Sequence, residues 1–141
     1  MTHTTDLELS KELYKLGLRI ETEYYWEDFK LVRRGLDNSG RVGYTQFSVP
    51  AYSTDELLAV LPKQIESFGY FDLIISYPGL KRVEVSYIKY GLNDDNKLYQ
   101  IEKMYYINRD NLPQALGLMA KWLLQNVYHY DKERKVLWKT N

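Results

Sequence analysis

A chain of 141 residues has the length of a single domain, here taken as residues 1–141. At that size it buries roughly 68–70% of its unfolded surface, enough for a core without staples. Nineteen basic residues balance nineteen acidic ones, which argues against a surface built to grip extended nucleic acid. With no cysteine there is no disulfide scaffold, thiolate metal site or cysteine nucleophile, as expected of a chain in a reducing compartment.

The first residues lack the basic and apolar segments of a secretory signal. No apolar run approaches the ~20 residues that a membrane-spanning helix requires, so the expected location is the cytoplasm. Thr5 and Glu8 have capping-box spacing, and Leu9, Leu13 and Leu16 then recur on one helical face. A helix is therefore expected over residues 6–16, with Gly17 as its left-handed stop. From 19 to 26 the period changes to two: Ile20, Thr22, Tyr24 and Trp26 oppose Arg19, Glu21, Glu23 and Tyr25. Residues 29–34 continue this strand or pair with it. A turn at 37–40 then leads to a returning strand over 42–49, with a possible bulge at Gly43.

The clearest start-and-stop signal follows. Ser53 and Glu56 have the spacing of a capping box, Tyr52 and Leu57 that of a hydrophobic staple, and Pro62 disfavours helical geometry at Leu61. So short a helix is marginal alone and must be packed on a sheet. Strands are expected over 70–77, 82–90 and 98–107, joined by turns at Pro78-Gly79 and at 93–96. Their links are too short for crossovers, so they form an antiparallel meander. Asn111, Pro113 and Gln114 open the last long helix, and Gly117 inside it costs ~1 kcal/mol relative to alanine. Such a glycine often marks the close approach of another backbone. Residues 127–141 prolong this helix or add a short strand through Val136, Leu137 and Trp138.

The expected architecture is α+β, in the order α-β-β-α-β-β-β-α. A mostly antiparallel sheet of about five strands would carry the helices on one face.

Catalytic signatures are missing. His3 with Thr5 has the spacing of a two-histidine phosphoesterase half-motif, but His129 supplies no second half. His129 and Asp131 offer two metal ligands with nothing to complete the set. Glu21 and Glu23 share a predicted strand face and could serve a small metal-dependent hydrolase or nucleotide-processing enzyme; a solvated strand face is the plainer reading. No nucleophile elbow, phosphate loop or dinucleotide fingerprint occurs. No catalytic residue, metal ligand or cofactor is therefore assigned.

The distinctive feature is tyrosine, present fourteen times. Tyr25, Trp26, Tyr87, Tyr90, Tyr99 and Tyr105 lie on predicted strands, interleaved with Arg82 and Lys89, and form the candidate ligand-binding set. Aromatics and bases on one sheet face can stack bases and hold phosphates. Tyrosine is also simply a good residue for a half-buried pleat. These residues point to a non-enzymatic protein that binds a protein or nucleotide ligand through an aromatic sheet face. A homo-oligomer is the second interaction reading, because aromatic strand edges are common at such contacts.

Three segments carry a resemblance. They are Ser10…Leu13…Leu16-Gly17, then Thr22…Tyr25-Trp26, then Pro50-Ala51-Tyr52 with Glu56-Leu57-Leu58 and Leu61-Pro62. This layout, with Ala115-Leu116 and Trp122-Leu123-Leu124, resembles a family of small proteins encoded by bacteriophages and prophages. The resemblance brings no activity or catalytic residues. It implies a setting, the cytoplasm of an infected or lysogenic bacterium, and leaves an oligomeric phage component as a further alternative.

Overall fold

The computed structural model describes residues 3–33, 48–67, 69–79 and 81–140. Among these lie three helices and nine strands: α1 (Leu7–Lys15), β1 (Tyr24–Glu27), β2 (Lys30–Arg33), β3 (Val49–Ala51), α2 (Thr54–Val60), β4 (Gln64–Glu66), β5 (Tyr70–Gly79), β6 (Arg82–Leu92), β7 (Leu98–Arg109), α3 (Leu112–Gln125), β8 (Tyr128–Asp131) and β9 (Val136–Lys139). The class is α+β, and the named strands pair antiparallel throughout. The expected single sheet is divided into three, ordered β2-β1-β3, β4-β5-β6-β7 and β8-β9. The turn expected at 37–40, the strand over 42–47 and the bulge at Gly43 lie outside the described residues.

Local chemistry explains each helix start. The Ser53 box is complete: Ser53 Oγ accepts from Glu56 N, and Glu56 Oε1 accepts from Ser53 N. Tyr52 and Leu57, the staple pair, are both fully buried. Asn111 caps α3 by accepting from Gln114 N at 2.8 Å. For α1 the cap is Asp6, not Thr5, and accepts from Leu9 N at 2.8 Å. Thr5 is drawn inward instead. Its N–H donates to Tyr52 O, its hydroxyl accepts from Tyr52 N, and it shares a hydrogen bond with Ser10. A carboxylate one residue later is then better placed to meet the orphan N–H groups of the first turn. Gly17, at φ +98, ends α1 as expected.

The core lies between the helices and one face of the four-stranded sheet. Leu9 and Leu13 of α1, Leu57 and Val60 of α2, and Leu116, Met119 and Leu123 of α3 meet Phe71, Val83, Val85, Tyr87 and Ile107. Leu137 of β9 closes it, so the ambiguous tail is a hairpin whose inner residue belongs to the core. Val127, at φ +57, breaks α3 and turns the chain into β8.

The opening strand differs from expectation. Residues 19–23 precede the sheet, and β1 starts only at Tyr24. It turns at once into β2 through Asp28 and Phe29, both at positive φ. That is the geometry of a tight hairpin turn usually written with Asn-Gly or Asp-Gly. Phenylalanine in the glycine position hides the signal.

Candidate functional site

The four-stranded sheet has a second face that no described helix covers. Alternation along β6 directs Val83, Val85 and Tyr87 to the core and Glu84, Ser86, Ile88, Tyr90 and Leu92 to the outside. Their partners on β7 are Asn108, Tyr106, Lys103, Gln100 and Leu98. Ile74 and Asp72 of β5 continue the same face. Ile88 is buried yet belongs to no part of the helix-side core, as expected for an apolar centre on the opposite side.

Polar groups are set into this apolar surface. Lys103 Nζ pairs with Glu84 Oε2 at 3.2 Å, and Ser76 Oγ donates to the same oxygen at 3.4 Å. Beside them, the buried Ser86 Oγ and Asn108 Oδ1 find no hydrogen-bond partner among the described residues. A buried orphan of this kind costs about 1–3 kcal/mol.

Pairing with β5 ends at Ile88, beyond which β6 and β7 continue as a two-stranded ribbon. Apolar side chains stand on both of its faces, beside Lys89, Gln100 and Glu102. Leu92 and Leu98 sit opposite one another on the outer face, 62% and 72% exposed. On the other face Tyr99 and Ile101 fold over Gly91, where a Cβ would fall 2.6 Å from Ile101 Cδ1. The glycine is there because the two side chains occupy its space.

The expected binding residues are dispersed. Tyr87 points into the core, and its hydroxyl donates to Pro62 O at 2.7 Å. Burial first, then the neighbouring Tyr128 hydroxyl, raises its pKa far above the ordinary tyrosine value. Tyr25 is buried in the three-stranded sheet, where Trp26 Nε1 donates to Thr5 O at 3.2 Å. Tyr105 occupies a bulge in β7 and stacks on Trp122 of α3, centroids 4.5 Å apart. Lys89 lies against Gly69, while Arg82 is exposed at the far end of β6, seven residues and roughly 23 Å away. Of the expected set, Tyr90 stands on the open face and Tyr99 on the opposite side of the ribbon. Tyr106, Leu92 and Leu98 complete the exposed surface. Their signal was a β6 alternation that remains apolar beyond the last β5 partner.

A second cleft, of about 600 Å³, has Glu23, Tyr24, Asp55, Asp110 and Asn111 in its wall. Two of these groups have structural tasks: Glu23 pairs with Arg33 at 2.8 Å, and Asn111 caps α3. Glu21 and Glu23 precede β1, and Glu23 N donates to Glu56 Oε2. Among the described residues, no group of three or more His, Cys, Asp or Glu side chains converges as a metal site. No described helix is long and apolar enough to cross a membrane.

No family model, curated protein or solved structure matches the chain.

Proposed function

We propose that this is a non-enzymatic binding protein whose contact surface is the helix-free face of the β4-β5-β6-β7 sheet and the ribbon that extends it. One observation carries the reading: Tyr106, Tyr90, Leu98 and Leu92 all stand exposed along that face, with Gln100 and the ion-paired Lys103 interleaved among them. Exposed apolar side chains gathered on one face mark interaction sites. The charges favour a protein over a nucleotide. Asp72 and Glu84 outnumber Lys103 on the face, and Glu84 already neutralises that lysine. A phosphate would meet net negative charge, whereas an apolar or basic peptide surface would not be repelled. A cytoplasmic setting in an infected or lysogenic bacterium is part of the proposal, and it rests on the resemblance of the sequence layout to phage and prophage proteins.

Photocrosslinking tests the surface. Benzoylphenylalanine placed at Tyr90 or Tyr106 should give covalent adducts in cells, while the same probe at Tyr14, exposed on α1, should not. Adducts only from Tyr14, or from no position, would exclude this face as the contact.

A further inference from the structure

We infer that a second copy of the chain joins this sheet edge to edge through β7, about a twofold axis at Lys103. The inference goes beyond the contact-surface reading above, whose face stays open in the pair.

β7 is twelve residues long, and among the described residues it pairs on one side only, with β6. A long free edge is a template for another strand, and proteins often block it with bulges. Here the two bulges are themselves symmetric. The register shifts leave Tyr105 and Ile101 as the extra residues, each two positions from Lys103. Leu98, Gln100, Lys103, Tyr106 and Asn108 therefore face outward, and Tyr99, Glu102, Met104 and Ile107 face the helix side.

A twofold axis perpendicular to the sheet requires paired residues to share a face. Antiparallel pairing centred on Lys103 meets that condition at every position. Leu98 meets Asn108 of the other copy, Gln100 meets Tyr106, Tyr99 meets Ile107, Glu102 meets Met104, and bulge meets bulge as Ile101 against Tyr105. A centre one residue to either side sets outward residues against helix-side ones.

Charge and area agree. The ribbon tip carries Asp94 and Asp95 against a single Lys97, and this pairing carries it to the far end of the other copy's β7. There the exposed Lys81, Arg82 and Arg109 outnumber the exposed Asp110. The two central lysines each keep their own Glu84, so the axis carries no net charge. Leu98, Tyr99, Ile101 and Tyr105 of β7 together expose on the order of 450 Å² per copy. Two copies reach about 900 Å², the size of a weak, reversible interface.

Because the chain has no cysteine, one introduced thiol reports the axis directly. Directly opposed residues place their Cα atoms about 4.5–5.5 Å apart, within disulfide range. Lys103→Cys under oxidised glutathione should give a disulfide-linked two-chain product, and Lys63→Cys, beside the opposite sheet edge, should not. Light scattering should find two chains per particle for the native sequence. Ile101→Lys, at a residue half exposed in a single copy, should weaken association at least tenfold with an unchanged circular dichroism spectrum.

A native protein of one-chain mass at every concentration overturns the inference, as does an Ile101→Lys protein that associates normally. If that monomer still gives a foreign adduct at Tyr106, the contact surface stands and only the self-partner is lost. A dimer linked through Lys63→Cys with no adduct at Tyr90 or Tyr106 removes both.

Discussion

Replacing Gly117 by alanine sets two effects of known size against each other. In an exposed helix the change would stabilise by about 1 kcal/mol. At this position a Cβ would fall 2.6 Å from Thr5 Cγ2 and 2.8 Å from Leu9 Cδ2. Leu9 can turn its terminal methyl away, but Thr5 cannot. Its hydroxyl is held between Tyr52 N at 3.2 Å and Ser10 Oγ at 2.7 Å, which fixes its methyl as well. Overpacking against a fixed group costs about 1–3 kcal/mol, so the net expectation for Gly117→Ala is a loss of about 0–2 kcal/mol. For a domain of this length the middle of that range lowers Tm by roughly 3 °C. Urea unfolding followed by tryptophan emission measures it, and the double variant Thr5→Ser/Gly117→Ala isolates the cause. Serine keeps the hydroxyl network but removes the methyl, so the double variant should recover most of the loss. A single Gly117→Ala protein that is more stable than the native one would refute the close approach of α1 to α3.

Three further outcomes are expected. Glu56 accepts from Ser53 N with one oxygen and from Glu23 N with the other, at 2.9 and 2.8 Å; Glu56→Gln sets an amide N–H₂ against one of these donors and should cost about 1–2 kcal/mol in urea unfolding. Phe29 is 84% exposed at φ +64, so Phe29→Gly relieves a left-handed residue at little packing loss and should stabilise by about 1 kcal/mol in the same assay. The raised Tyr87 pKa means that the folded state holds its proton where the unfolded chain releases it, near pH 10; stability should therefore fall as pH rises above 10, and a series of melts at alkaline pH should show a shallower fall for Tyr87→Phe.

What could be read in advance depended on whether the signal was local. The Ser53 box, the Asn111 cap and the Gly17 stop are written within four residues each, and all three are found where expected. Gly117 likewise announced a close approach, although not which chain segment makes it. Thr5 shows the opposite case: its cap spacing with Glu8 was sound, but bonds to Tyr52, far along the chain, outweighed it. The division into three sheets was illegible for the same reason. Nothing local in Tyr24–Glu27 says that its neighbours are β2 and β3 rather than β5. The aromatic face was misdrawn by bulges at Ile101 and Tyr105, each of which reverses the alternation for every residue beyond it.

Leu9 and Leu137 share one core although most of the chain separates them, and α1 docks on α3 through Gly117. During synthesis the first helix therefore leaves the ribosome long before the last of its packing partners, α3 and β9, is made. A nine-residue helix cannot persist unaided in water, so it must wait, unfolded or sheltered by other factors, until residues 112–137 emerge. Closure is late and largely all-or-none, and an interrupted translation product ending before α3 would present its apolar strands to the proteolytic machinery of the cell.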